Sequence, residues 1–183
     1  MSPPLIELRD VYKVYGEGEA TVAALAGVNN AAINYYFRSK DQLIERCMQV
    51  TLENAFDFAD FERLPGGSAR ERCAAILNEL VDGGLHYPGI ARAHFFGVLA
   101  EGRYDSLAVE KLNQFAGRLA ADLAQRGFDL PPAELRLALV QAIQTVLMAV
   151  LAPGLFQSGL GIDLNDADTR AHFIERLVEK LFC

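Results

Sequence analysis

From Ser39 to Phe182 the apolar residues recur at spacings of three and four, and Pro, Gly or a capping residue interrupts them every 15 to 25 positions. That period places one apolar stripe on each of a series of helices, and stripes of this width must be buried against one another. Two starts carry capping boxes, in which a Ser hydroxyl and a side chain three residues on satisfy each other's backbone amides. They are Ser39 with Gln42 and Ser68 with Glu71. The predicted stripes are Leu43, Cys47 and Val50 or Thr51; Cys73, Ile76, Leu77, Leu80 and Val81; Leu112, Phe115, Leu119 and Leu123; and Phe173, Ile174, Leu177, Val178 and Leu181. Helices are therefore expected near Ile90–Glu101, Leu107–Arg126, Pro131–Leu151 and Ala167–Phe182, the last capped by Asp166 or Asp168. Breaks are expected at Pro65–Gly67, Pro88-Gly89, Gly127–Pro132 and Pro153–Asp163. The fold class is all-α.

The N-terminal tip departs from this pattern. In residues 4–15 (PLIELRDVYKVY) Ile6 and Leu8 alternate with charged neighbours, and Val11, Tyr12, Val14 and Tyr15 favour a strand. After Gly16 and Gly18, an Ala- and Leu-rich run from Glu19 to Ala26 predicts a short helix that Gly27 stops. A second short helix fits Asn30–Phe37, capped by Asn29 or Asn30. The predicted domains are an atypical segment 1–18, a helix-turn-helix at 19–50 and a larger helical domain at 51–183.

Charge and composition narrow the functions. The 17 basic and 24 acidic residues give a net charge of −7, which excludes a protein that coats nucleic acid through bulk positive charge. The acids are unevenly placed: none lies between Glu19 and Asp41, where Arg38 and Lys40 stand. A small reading element in an acidic protein needs such a gap, because carboxylates repel the phosphate backbone. Cys47, Cys73 and Cys183 are too few and too far apart for a disulfide framework or a zinc site, which fits a reducing cytoplasm. The N-terminus has no basic and apolar signal-peptide regions. The most apolar stretch, Leu135–Ala152, carries Arg136, Gln141, Gln144 and Thr145, so a buried soluble helix is expected rather than a membrane span. His86, His94 and His172 lack ligand spacing, and neither H-E-x-x-H nor G-x-S-x-G occurs. No enzyme, metal or cofactor is expected.

Two short helices about a tight Gly turn form a helix-turn-helix, whose second helix enters the major groove. Val28, Ile33 and Phe37 would face the core, leaving Asn30, Ala31, Ala32, Asn34, Tyr35 and Tyr36 toward the DNA. Asn pairs with adenine edges and Ala packs on thymine methyls. Tyr hydroxyls and Lys40 suit phosphates, and so do the backbone donors of the helix that Ser39 opens.

The wording AGVNNAAINYYFRSKDQLIE at 26–45 closely resembles the DNA-binding signature of the TetR family of bacterial regulators. The resemblance rests on Ala26-Gly27-Val28, Ala31-Ala32-Ile33, Tyr35-Tyr36-Phe37 and Ser39-Lys40 followed by an acid and Leu43. It implies a cytoplasmic homodimeric regulator, a ligand-responsive repressor, with a three-helix reader and a divergent ligand-binding domain. Base-edge contacts are then expected at Asn30, Ala31 and Ala32, backbone contacts at Tyr35 and Tyr36 and a phosphate contact at Lys40, with Asn29 and Asn34 completing the expected DNA-binding residues. The partners are an operator duplex, a second copy of the chain through the helices at 131–151 and 167–182, and a small effector. Phe56, Phe58, His94, Phe95, Phe96, Tyr104 and Phe115 are candidates to line an apolar ligand pocket between helices, His94, Phe95, Tyr104 and Phe115 foremost.

The place of the family's long first helix is taken by PLIELRDVYKVYGEGEATVAAL, which resembles the opening strand of exporter-type ATP-binding-cassette ATPases. No G-x-x-x-x-G-K-[ST] follows, so nothing cradles a triphosphate. The expectation is that residues 1 to about 25 are a fusion or a misassigned start, grafted onto a repressor lacking its first helix, which weakens the reader. Binding of an operator at nanomolar concentration contradicts that expectation. The competing reading is a helical dimer that binds a ligand or partner but no DNA.

Overall fold

The computed structural model describes residues 38–57, 61–64, 67–128 and 130–182. The predicted strand at 4–15, the short helices at 19–26 and 30–37, Phe58, Cys183 and the side chain of Lys40 lie outside the described residues. Two compact units divide the chain, Met1–Gln49 and Val50–Cys183. One helix, α1 (Lys40–Ala55), runs through the division.

The described residues are helical throughout, without strands. After α1 and a helical turn at Phe61–Glu62 come α2 (Ala69–His86), α3 (Pro88–Glu101), α4 (Leu107–Gln125), α5 (Pro132–Leu151), a four-residue α6 (Gln157–Leu160) and α7 (Ala167–Leu181). The starts are chemically marked. Ser68 Oγ accepts from the Glu71 amide at 3.2 Å, while Glu71 Oε2 accepts from the Ser68 and Gly67 amides at 2.9 and 3.1 Å. Ser106 caps α4 through the Val109 amide, and Asp166, not Asp168, caps α7 through Thr169. These bonds occupy helix-end donors that otherwise have no partner within the helix.

Two expected breaks are narrower than the sequence suggests. Pro88 and Gly89 belong to α3, and the joint is Tyr87 alone (φ −133°, ψ 59°). Proline lacks an N–H, and the first helical position does not need one, so Pro88 opens a helix instead of separating two. The interval after Pro153 likewise contains α6. At Gly127 the chain does reverse: φ is +78°, and the Phe128 amide returns to the Leu123 carbonyl at 3.1 Å. A left-handed residue ending a helix is the position where glycine avoids the Cβ penalty.

Within the unit Val50–Cys183, α2 is central and packs on α3, α4, α5 and α7. The main core joins Cys73, Ile76, Leu77 and Val81 of α2 to Phe115, Leu119 and Leu123 of α4. Leu135, Leu139, Ala142 and Val146 of α5 and Ile174 and Val178 of α7 complete it. These are largely the predicted stripes; Leu80, Leu112, Phe173, Leu177 and Leu181 lie only partly buried at the edges. A smaller cluster joins Leu52 to Phe95, Ala108 and Leu151.

Two arginines enter this core. Arg170, on α7, ties that helix to Asp82 of α2 at 2.5 Å and donates to the carbonyls of Leu164 and Asn165. Arg72 is 1% exposed; it donates to the Leu64 carbonyl at 2.8 Å and lies 3.7 Å from Asp122, which also pairs with Arg126. Burial leaves such a cation costly unless its charge and donors are met.

Candidate functional site

The approach to the reading element is built by local backbone chemistry. Arg38 is left-handed (φ 61°) and exposed, a conformation that costs a residue with a Cβ about 1 kcal/mol. Ser39 follows as the cap: its Oγ accepts from the Gln42 amide and its carbonyl from the Leu43 amide, both at 3.2 Å. The predicted start of α1 is therefore present. An α-helix leaves its first amides without carbonyl partners within the helix, and the helix dipole there favours negative charge. Further along, Leu43 and Cys47 are half-buried, and Arg46 donates to Gln49 Oε1 at 3.0 Å. The expected contact residues Asn29, Asn30, Ala31, Ala32, Asn34, Tyr35 and Tyr36 all lie outside the described residues, with the Lys40 side chain.

The four foremost pocket candidates do not share one cavity. Phe95 is buried in the small cluster with Leu52, Ala108 and Leu151. Half-buried His94 bonds Thr51 of α1 through Nε2 at 3.1 Å, and burial holds its pKa below the usual histidine value. Tyr104 is 70% exposed in the turn between α3 and α4. Phe115 is 2% exposed in the main core, its ring 5.6 Å from Phe56 and 5.5 Å from Phe61. Adjacent aromatics in sequence point to different sides of a helix, which is how His94, Phe95 and the exposed Phe96 part company. His86 and His172 are exposed, and no group of His, Cys, Asp or Glu that could hold a metal ion occurs among the described residues. Burial pushes the Cys73 thiol up to about 12, making it a packing residue rather than a nucleophile.

A cleft lined by two of the pocket candidates, Phe56 and Phe115, but otherwise by residues not expected there, lies between the end of α1 and one face of α4. It measures about 140 Å³ and is lined by Glu53, Phe56, Asp57, Lys111, Gln114, Phe115 and Arg118. Its signal was available as Lys111, Gln114, Phe115 and Arg118 at i, i+3, i+4 and i+7 on one helix. The pairing with Glu53 and Asp57 was not, because it joins segments more than fifty residues apart. A wider groove of about 340 Å³ lies over the start of α2, beside Arg70, Arg126 and Phe182. The amides of Glu71, Ser68 and Gly67 are already satisfied there by the capping box.

Residues 20–47 match the family model described as bacterial regulatory proteins, tetR family. The described part of that match is the Arg38–Cys47 segment with the Ser39 cap. No curated protein and no solved structure matches the chain.

Proposed function

We propose that this chain is a DNA-binding transcriptional regulator of the TetR family, a ligand-responsive repressor working in the cytoplasm as a homodimer, a reading supported by the match of residues 20–47 to that family's model. The match at residues 20–47 carries the reading, because it spans the predicted turn, the recognition helix and the capped start of α1. Asn30, Ala31 and Ala32 read base edges, with Asn29 and Asn34 beside them at the duplex, while Tyr35, Tyr36 and Lys40 hold phosphates and so fix the register. Two copies place their recognition helices about 34 Å apart, one turn of DNA, so the operator is a palindrome with that spacing.

What supports pairing through α5 is its outer face. Leu137, Val140 and Met148 are 54, 49 and 50% exposed, and with Gln141 and Gln144 they form a stripe at i, i+3, i+4, i+7 and i+11. By length and composition α5 is apolar enough to cross a membrane, yet half of its most apolar stretch is buried within the fold. A second copy covering the outer stripe accounts for the remaining apolar surface. The outer face of α7 offers charge instead, with His172, Glu175, Arg176 and Glu179 exposed. An effector that binds one arrangement of the dimer better than another shifts the population away from the DNA-competent spacing.

Selection from random duplexes tests the reading. The expected product is a palindrome whose affinity falls steeply with salt. Tyr36→Ala is expected to weaken binding, and Lys40→Ala to lower the salt slope by about one. Failure to enrich any sequence at about 0.1 M salt, where screening still permits phosphate contacts, sinks it.

A further inference from the structure

The wider groove over the start of α2 carries a charge that runs against the rest of the chain. Its rim is cationic: Arg70 in the first turn of α2 and Arg126 at the end of α4 both line it, and both are exposed. Arg70 has no ion-pair partner among the described residues. Arg126 bonds Asp122 through Nε at 3.0 Å, and among the described residues its terminal nitrogens make no hydrogen bond. Asp122 also faces the buried Arg72 at 3.7 Å, so one carboxylate serves two guanidiniums. Arg72 keeps Nε and Nη2 buried without a hydrogen-bond partner. Glu71, next to Arg70, has Oε2 turned to the Gly67 and Ser68 amides. These three arginines stand against two carboxylates, in a chain of net charge −7.

The wall below the rim is apolar. Phe128 and Leu130 are half-buried and line the groove with the rest of their surface. Phe182 is 1% exposed and offers none of its own; it meets Phe128 edge to face, ring centres 5.2 Å apart, and holds that ring in place.

Rim and wall together select among ligand classes. A small inorganic anion meets the arginines but leaves the apolar wall wet. An uncharged apolar molecule covers the wall but strips water from the guanidiniums without replacing it. A cation is repelled by the rim. One carboxylate on an apolar chain meets both, because the donor fork of a guanidinium matches a carboxylate. An enclosed cavity of about 150 Å³ holds benzene. The groove, at about 340 Å³, has room for about a dozen heavy atoms on that scale.

We propose that this groove binds a medium-chain carboxylate of about ten carbons, with its head on Arg70 and Arg126 and its chain along Phe128 and Leu130. The site is formed wholly within the unit Val50–Cys183 and stands whether or not the chain binds an operator.

Calorimetry on the full chain without DNA, at about pH 7.5 where carboxylates are ionised, tests the site. The probes are hexanoate, octanoate and decanoate, with octan-1-ol and octylamine as the uncharged and cationic counterparts of octanoate. One-to-one binding is expected, tightening by up to about fourfold for each CH2 added, the effect of burying a methylene. Octan-1-ol and octylamine are expected to bind about tenfold or more weakly than octanoate, since neither pairs with the two arginines. An acidic chain attracts octylamine at its other surfaces, so a preference for the anion is a property of the groove. Arg70→Gln and Arg126→Gln are each expected to weaken octanoate binding by about fivefold, as for exposed charge pairs, with helix content by circular dichroism unchanged. Any of four results overturns the site: no heat at millimolar decanoate, affinity that does not change with chain length, octan-1-ol or octylamine binding as tightly as octanoate, or unchanged affinity in both variants.

Discussion

His94 shows how one side chain can report on the fold. It is half-buried on α3, bonds Thr51 of α1, and has a pKa lowered from the ordinary 6.5 by loss of solvent. The unfolded chain then binds more protons than the folded one between the folded value and 6.5. Stability is complete above that window and declines as pH falls through it. Urea midpoints measured from about pH 7.5 down to 5.5, the range in which histidine titrates, are expected to fall for the native chain. His94→Gln keeps a partner for Thr51 without the titration and is expected to flatten the slope; an equally steep slope in the variant sinks the assignment. The capping carboxylates Glu71 and Asp166 act in a separate window. Hydrogen bonds from Ser68 and Thr169 hold their pKa values below the ordinary 4.5 and 3.8. Their contribution is present above those values and lost only in stronger acid.

Between elements, adjacent glycines in α2 separate helix propensity from packing. Gly84 lies where α2 crosses α5: a Cβ there would stand 2.6 Å from both methyl carbons of the buried Val150. Gly83 has nothing within 4 Å of the same added carbon. Alanine is favoured over glycine in a helix interior by about 1 kcal/mol, while overpacking a core costs about 1–3 kcal/mol. Gly83→Ala is therefore expected to raise stability by up to about 1 kcal/mol. Gly84→Ala is expected to lower it, because Val150 is branched and enclosed and cannot swing aside. Urea denaturation of the two variants checks this, and a stabilised Gly84→Ala would mean that α2 and α5 are not so closely packed.

For the whole molecule, the proposed homodimer makes the outer stripe of α5 the surface to test. Dimer-dependent binding predicts that Leu137→Glu combined with Val140→Glu leaves a monomer by analytical ultracentrifugation at micromolar concentration. Both residues are about half exposed in the single chain, so fold stability is expected to change by less than about 1 kcal/mol, as for surface substitutions generally. Operator affinity should fall steeply, since a single reader loses half of the phosphate and base contacts. A double variant that remains dimeric moves the pairing surface elsewhere. One that is monomeric yet binds the operator undiminished removes the need for pairing.

Periodicity and capping chemistry are local, so residue order alone determined that the described part of this chain is helical and where most helices begin. Ser68 with Glu71, Ser106 and Asp166 act through amides three positions away, and no distant contact is needed to read them. The family signature is equally local, contained within residues 20–47. What only the folded chain decided concerns pairs far apart in sequence. Tyr104 turned outward while Phe115 entered the core, although each is an aromatic near a helix end or along a stripe. Arg72 was drawn inside beside Asp122, and Glu53 and Asp57 came to line one cleft with Lys111 and Arg118. Periodicity fixes which face of a helix is apolar, but the angle at which two helices pack sets which of their polar side chains meet.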